Sequence, residues 1–225
     1  MKLPFSCRIG AAVLAAALVF VSRSQGATVN LAGTGALGQY TVGADYSNGW
    51  LSVTVTNTSD PSLGGYLTGF VFDLAGASSV KLAPNPQSNF YDVKGPENAA
   101  PYGTFQFGAA LASSNSTDGS FLGGGNPSRG LAPGAWQTFT FSVTPSSNSF
   151  VLSESSFNGA VPFLARFRGF DNGGSDKVPA EFIASTPIRS VPQTPAVPLP
   201  SAAWAGMSLL GLVMGLTIRR RVAGR

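Results

Sequence analysis

The chain has 225 residues, no histidine and a single cysteine, Cys7. The missing imidazole excludes Ser-His-Asp and Cys-His catalysis and every histidine metal site. The 14 Lys and Arg against 10 Asp and Glu give a net +4, but Lys2, Arg8 and Arg23 lie near the start and Arg219, Arg220, Arg221 and Arg225 at the end. Between them, seven basic side chains face ten acidic ones, a net of −3. Only Arg166 and Arg168 stand close together there, so the basic balance does not point to nucleic acid, which selects clustered Lys and Arg.

Residues 1–27 read as a secretory signal peptide. Lys2 and Arg8 form a positive n-region, Ile9 to Val21 an apolar h-region, and Ser22 to Ala27 a small, polar stretch suited to cleavage. Cys7 precedes the apolar run, so it is not the lipid-bearing cysteine of a lipoprotein. The mature chain then has no cysteine, and its stability must come from a core instead of disulfides.

Residues 28–184 carry the pattern of strands. Leu51, Val53 and Val55 alternate with Ser52, Thr54 and Thr56. Phe70, Phe72 and Leu74 repeat the period, as do Phe105, Phe107 and Ala109. Phe139, Phe141 and Val143 alternate with hydroxyls, and Phe163, Ala165 and Phe167 with Leu164, Arg166 and Arg168. Shorter candidates are Thr28 to Leu31, Gln39 to Val42, Phe90 to Val93, Phe150 to Leu152 and Glu181 to Ala184. The gaps are turn-rich and no apolar spacing of 3.6 is sustained, which predicts an all-β, antiparallel β-sandwich, immunoglobulin-like or jelly roll. Fourteen of the chain's sixteen phenylalanines lie in this region and supply its apolar faces.

Few residues in this region carry a chemical motif. Gly33, Gly35 and Gly38 have dinucleotide-loop spacing but lead into a strand, not a helix. The Gly123–Gly125 run has no helix start after it and reads as a loop. Two of the scattered carboxylates would have to converge for glycosidase chemistry, and no cofactor is implied. Asp171, Asn172, Ser175 and Asp176 surround two glycines; they read either as a hairpin turn or as a calcium loop. Tyr40, Tyr46, Trp50, Tyr66, Tyr91, Tyr102 and Trp136 form either a stacking platform for sugars or the closed ends of the core.

Residues 185–200 hold Pro187, Pro192, Pro195, Pro198 and Pro200 and read as an extended, Pro-rich linker. Residues 201–218 follow with no charge, at the short end of a bilayer span, and Gly206, Gly211 and Gly215 suit close helix approach there. Arg219, Arg220 and Arg221 open the basic tail, 219–225, and read as a cytoplasmic stop.

Val197-Pro198-Leu199-Pro200, a short Gly- and Leu-rich helix and a terminal Arg cluster together resemble the PEP-CTERM sorting domain. Leu199 stands where that family usually has Glu, a Val-Pro-Leu-Pro variant of its motif. The resemblance covers about an eighth of the chain. It implies an exported protein of a Gram-negative bacterium that makes exopolysaccharide, and an exosortase-type membrane transpeptidase as partner. The expectation is a non-enzymatic protein, an inner-membrane precursor and then a cell-surface or secreted matrix component, associated with extracellular polysaccharide. The alternative is a carbohydrate-binding or carbohydrate-modifying module on the same architecture.

Overall fold

The computed structural model describes residues 28–113, 115–147 and 150–183. The segments read as a signal peptide (1–27), a Pro-rich linker (185–200) with the sorting motif Val197–Pro200, a membrane helix (201–218) and a basic stop at Arg219, Arg220 and Arg221 lie outside them.

The alternation of apolar and polar residues becomes strands throughout. They are β1 (Thr28–Thr34), β2 (Gln39–Ser47), β3 (Trp50–Asn57), β4 (Gly64–Phe72), β5 (Ala77–Leu82) and β6 (Phe90–Asp92), followed by β7 (Glu97–Asn98), β8 (Thr104–Phe105), β9 (Phe107–Leu111), β10 (Trp136–Pro145), β11 (Phe163–Phe170) and β12 (Ser175–Phe182). Three short 3₁₀ turns complete the described residues, which contain no α-helix. No helix among them is long and apolar enough to cross a membrane.

The all-β, antiparallel reading holds, but the two-sheet sandwich does not. Ten strands form one sheet, in the order β5-β10-β3-β2-β1-β12-β11-β4-β9-β6, and every pairing is antiparallel. The cause lies in β12. Ser175 to Pro179 pair with β11, while Ala180 to Phe182 pair with β1. One strand thus joins what would otherwise be two sheets, and the product is nearly closed into a barrel. Across the remaining seam the Asp92 carboxylate of β6 accepts the Leu82 N–H of β5 at 2.9 Å.

The inner face is an aromatic lattice. Phe70 stacks on Phe163 at 5.1 Å and meets Phe139 edge-on at 4.8 Å; Phe72 meets Phe141 edge-on at 5.4 Å. Each fully buried ring contributes about 1.5–3 kcal/mol by area alone, and edge-to-face pairs add to that. Tyr40 is the polar member. Its hydroxyl donates to the Val178 carbonyl at 3.0 Å, and burial holds its pKa well above the usual phenol value. Asn57, fully buried, ties β3 to the loop before β10 by donating to the Leu131 carbonyl at 2.8 Å, and its side-chain oxygen accepts the Ser59 N–H at 3.0 Å in the turn just after β3.

A second, smaller core sits outside the barrel. Val71, Ala110 and Leu164 point outward, and Val93, Ala99, Phe105 and Phe121 cover them. This corrects two expectations. Leu164 is fully buried and is not the polar partner in its strand's alternation. Phe105 and Phe107 do not share a face: Phe105 joins the outer cluster, Phe107 packs against the inner one, and Gln106 between them donates its N–H to Asp73 at 2.8 Å. Phe150 to Leu152 form no strand, although Leu152 is buried.

Candidate functional site

Because Leu51, Val53 and Val55 of β3 and Phe139, Phe141 and Val143 of β10 point into the barrel, their neighbours must point out. The register of β3 on β10 aligns them in rows. Trp136 faces Thr56, Thr138 faces Thr54, Thr140 faces Ser52, and Ser142 faces Trp50. On the far side of β3, β2 continues the rows with Thr41, Gly43, Asp45 and Ser47. Asp45 is the one charge on these three strands' outer face, and it is engaged by the Thr28 hydroxyl. The Thr54 and Thr138 hydroxyls lie 2.8 Å apart and bond across the strands.

Two tryptophans stand at opposite corners of this hydroxyl lane. Trp50 is 48% and Trp136 66% exposed. Six positions of β10 separate Trp136 from the residue opposite Trp50, about 20 Å at ~3.4 Å per residue. A scattered exposed leucine is ordinary; two large aromatic rings left in water on one face, whose charges are Asp45 and, on the neighbouring strand opposite Ser142, Lys81, are not.

A recess of about 230 Å³ opens beside the lane, lined among others by Asn85, Ser88, Phe90, Gln137, Phe139 and Thr140. It occupies the seam. Strand β5 pairs with β10 only from Phe141 onward, so the first half of that edge of β10 is covered by the loop after β5. The Ala83 N–H reaches the Thr140 carbonyl at 2.8 Å, and Gln137 Nε2 donates to the Ser88 hydroxyl at 2.6 Å. Behind it, burial pushes the Asp92 carboxyl above the usual carboxylate range, against the opposing pull of the Leu82 N–H, Lys81 and Lys94.

The seven aromatic candidates separate. Tyr40 is buried in the core, and Tyr46 packs edge-on against Phe150 at 4.8 Å. Tyr66 and Tyr102 are half-buried on other strands and loops, while Tyr91 is exposed on β6. Only Trp50 and Trp136 share the outer face of β3 and β10. Their outward direction was legible from parity alone, since each lies an odd number of positions from its strand's inward set. The hydroxyls between them were legible too, but not the pairing that assembles them.

Asn172 accepts the Gly174 N–H at 2.8 Å and Gly173 has φ +74°, so the segment makes the β11–β12 turn. Asp176 accepts the Leu37 and Gly38 amides at 2.9 and 3.1 Å, holding the β1–β2 turn. Asp171 lies beside Gly64, and Ser175 is exposed opposite Arg168. Among the described residues no three acidic, histidine or cysteine side chains come together. The glycines of the β1–β2 turn serve close approach: a Cβ on Gly35 would lie 2.4 Å from the Asp176 carboxylate, and one on Gly38 2.5 Å from the Phe167 ring.

Comparison with protein-family models, with curated proteins and with solved structures finds no match to this chain.

Proposed function

We propose that the chain is a non-catalytic, exported surface or matrix protein whose β-domain holds neutral polysaccharide on the outer face of β3 and β10. The carrying observation is the pair Trp50 and Trp136, exposed on one nearly uncharged, hydroxyl-lined face. Sugar rings present apolar C–H faces that lie against aromatic rings, and hydroxyl edges that exchange hydrogen bonds with Thr and Ser. A neutral glycan brings no charge to be neutralised, which suits a lane with a single, engaged carboxylate.

Delivery to the surface rests on the sequence. The signal peptide exports the domain, residues 201–218 span the inner membrane, Arg219 to Arg221 stay in the cytoplasm, and an exosortase-type transpeptidase acts at Val197 to Pro200. The test is co-sedimentation of the purified protein with insoluble neutral polysaccharides: cellulose, a β-1,3-glucan, xylan and chitin. At least one is bound, and W50A/W136A weakens that binding at least tenfold, about 1.4 kcal/mol, with the thermal midpoint unchanged. Undiminished binding by the double variant, or no binding to any of the four, overturns the reading.

A further inference from the structure

The domain gathers its positive charge in a different place. On the outer face of the β11–β12 hairpin, Arg166 stands directly opposite Lys177, and Arg168 follows two positions along on the same face. Directly opposed residues have Cβ atoms about 5 Å apart, and like charges so placed repel. Two positions along a strand span about 7 Å. In a region with a net charge of −3, three of seven cations therefore crowd one patch.

Among the described residues no carboxylate forms an ion pair with them. The ion pair found among the described residues is Lys94 with Asp118, on another loop. Asp176, beside Lys177 in sequence, is turned to the amides of Leu37 and Gly38. Glu97, on the β7–β8 hairpin, accepts the Leu122 amide.

The two flanking cations are held by loops instead. Arg168 Nη1 donates to the carbonyls of Gly124 at 2.9 Å and Gly125 at 3.3 Å, and Lys177 Nζ donates to the Ala100 carbonyl. Arg166, between them, has no such partner. Its Nε is buried without a hydrogen bond. Burial and the neighbouring Arg168 both disfavour its charged form. Native proteins pair nearly all buried donors, so Arg166 is the member of this patch whose guanidinium the protein itself leaves unpaired.

We propose that Arg166, Arg168 and Lys177 form a binding site for an oxyanion group, a carboxylate, sulfate or phosphate, that bonds the Arg166 guanidinium. A planar guanidinium offers parallel N–H groups to such paired oxygens. Lys177 and Arg168 add charge at either side while their loop contacts hold them apart. The group comes either from a free inorganic ion or from an acidic residue of a glycan. The patch lies on β12 and β11, three and four strands along the sheet from β3, and stands independently of the neutral-glycan face.

The experiment is thermal unfolding of the purified full-length protein with sodium sulfate, sodium phosphate or polygalacturonate, each against sodium chloride at equal ionic strength. At least one raises the midpoint saturably, as a ligand of the folded state must. Response to sulfate or phosphate identifies a small-ion site, and response to polygalacturonate alone identifies an acidic glycan; either supports the proposal. R166M removes the response, while its midpoint without anion equals or exceeds that of the unsubstituted protein, because an unpaired donor and a repulsive charge are gone. K177M, at the half-exposed rim, shifts the half-saturating concentration at least tenfold and decides the matter if R166M does not fold. W50A/W136A leaves the response intact. No response beyond chloride, a response that R166M retains, or an unliganded R166M of lowered midpoint overturns the proposal.

Discussion

Replacing Phe141 and Thr140 one at a time tests the barrel's parity directly, because the two are adjacent in β10 and face opposite ways. Phe141 is fully buried, with its ring 5.4 Å from Phe72 at 89° and 6.2 Å from Phe70 at 74°. Phe141→Ala loses about 1.5–3 kcal/mol of ring burial. It also loses two edge-to-face contacts of ~0.5–1.5 kcal/mol each, and it leaves a cavity that the surrounding rings fill only partly. The expected cost is about 3–5 kcal/mol, a large share of the roughly 5–15 kcal/mol that holds a domain together. Thr140 shares the outer face with Ser52, and its backbone carbonyl keeps the Ala83 bond whatever its side chain. Thr140→Ala costs within about 0.5 kcal/mol. With a urea slope of about 2 kcal/mol per molar, Phe141→Ala lowers the unfolding midpoint by about 2 M and Thr140→Ala by less than about 0.3 M. Equal shifts in the two melts would refute the assignment of faces.

Two further outcomes can be checked with simple variants. Tyr40 keeps its proton in the fold, since burial raises its pKa well above the phenol value, whereas in the unfolded chain it ionises near pH ~10. Above that pH the unfolded state binds fewer protons, so stability falls as pH rises, by up to about 1.4 kcal/mol per unit. Tyr40→Phe shows a shallower alkaline decline in urea melts between about pH 9 and 12; parallel declines would contradict the buried hydroxyl. For the tail, replacing Pro198 and Pro200 by Ala leaves an unprocessed inner-membrane precursor. Intact mass decides: surface-released protein that still carries Arg225 rules out processing.

Much of the fold was legible wherever one face alone meets the core. The alternation at Leu51–Val55, Phe139–Val143 and Phe163–Phe167 became β3, β10 and β11 with the expected residues inward. It failed where both faces are covered, as at Leu164, whose second face lies under the outer cluster. It failed again at Ala77–Leu82, where Ser78, Ser79 and Lys81 leave Val80 as the strand's one buried side chain. The joining of sheets was hidden because β12 divides its bonds between two partners, and nothing in Ser175–Phe182 records the division. Residues 105–107 read as one strand because period alone does not register a chain that crosses from one core to the other. The candidate face was half legible. Each tryptophan and hydroxyl announced its outward parity, but the alignment of Trp136 with Thr56 depends on partners distant in sequence, and no local pattern carries it.

The division of β12 also sets when the barrel can exist. Its pairing partner β1 is the domain's first strand, and Leu31 meets Phe182 across nearly the whole length of the fold. Until β12 is present, β1 and β11 both carry open, hydrogen-bonding edges and the aromatic lattice is bounded on one side by water. Such long-range pairing makes closure slow and leaves the nascent sheet open to pairing with other chains. A chain that emerges from synthesis N-terminus first therefore holds both edges open until its final described strand arrives. In sequence the last bond of that closure is the Ile183 N–H to the Asn30 carbonyl at 3.0 Å.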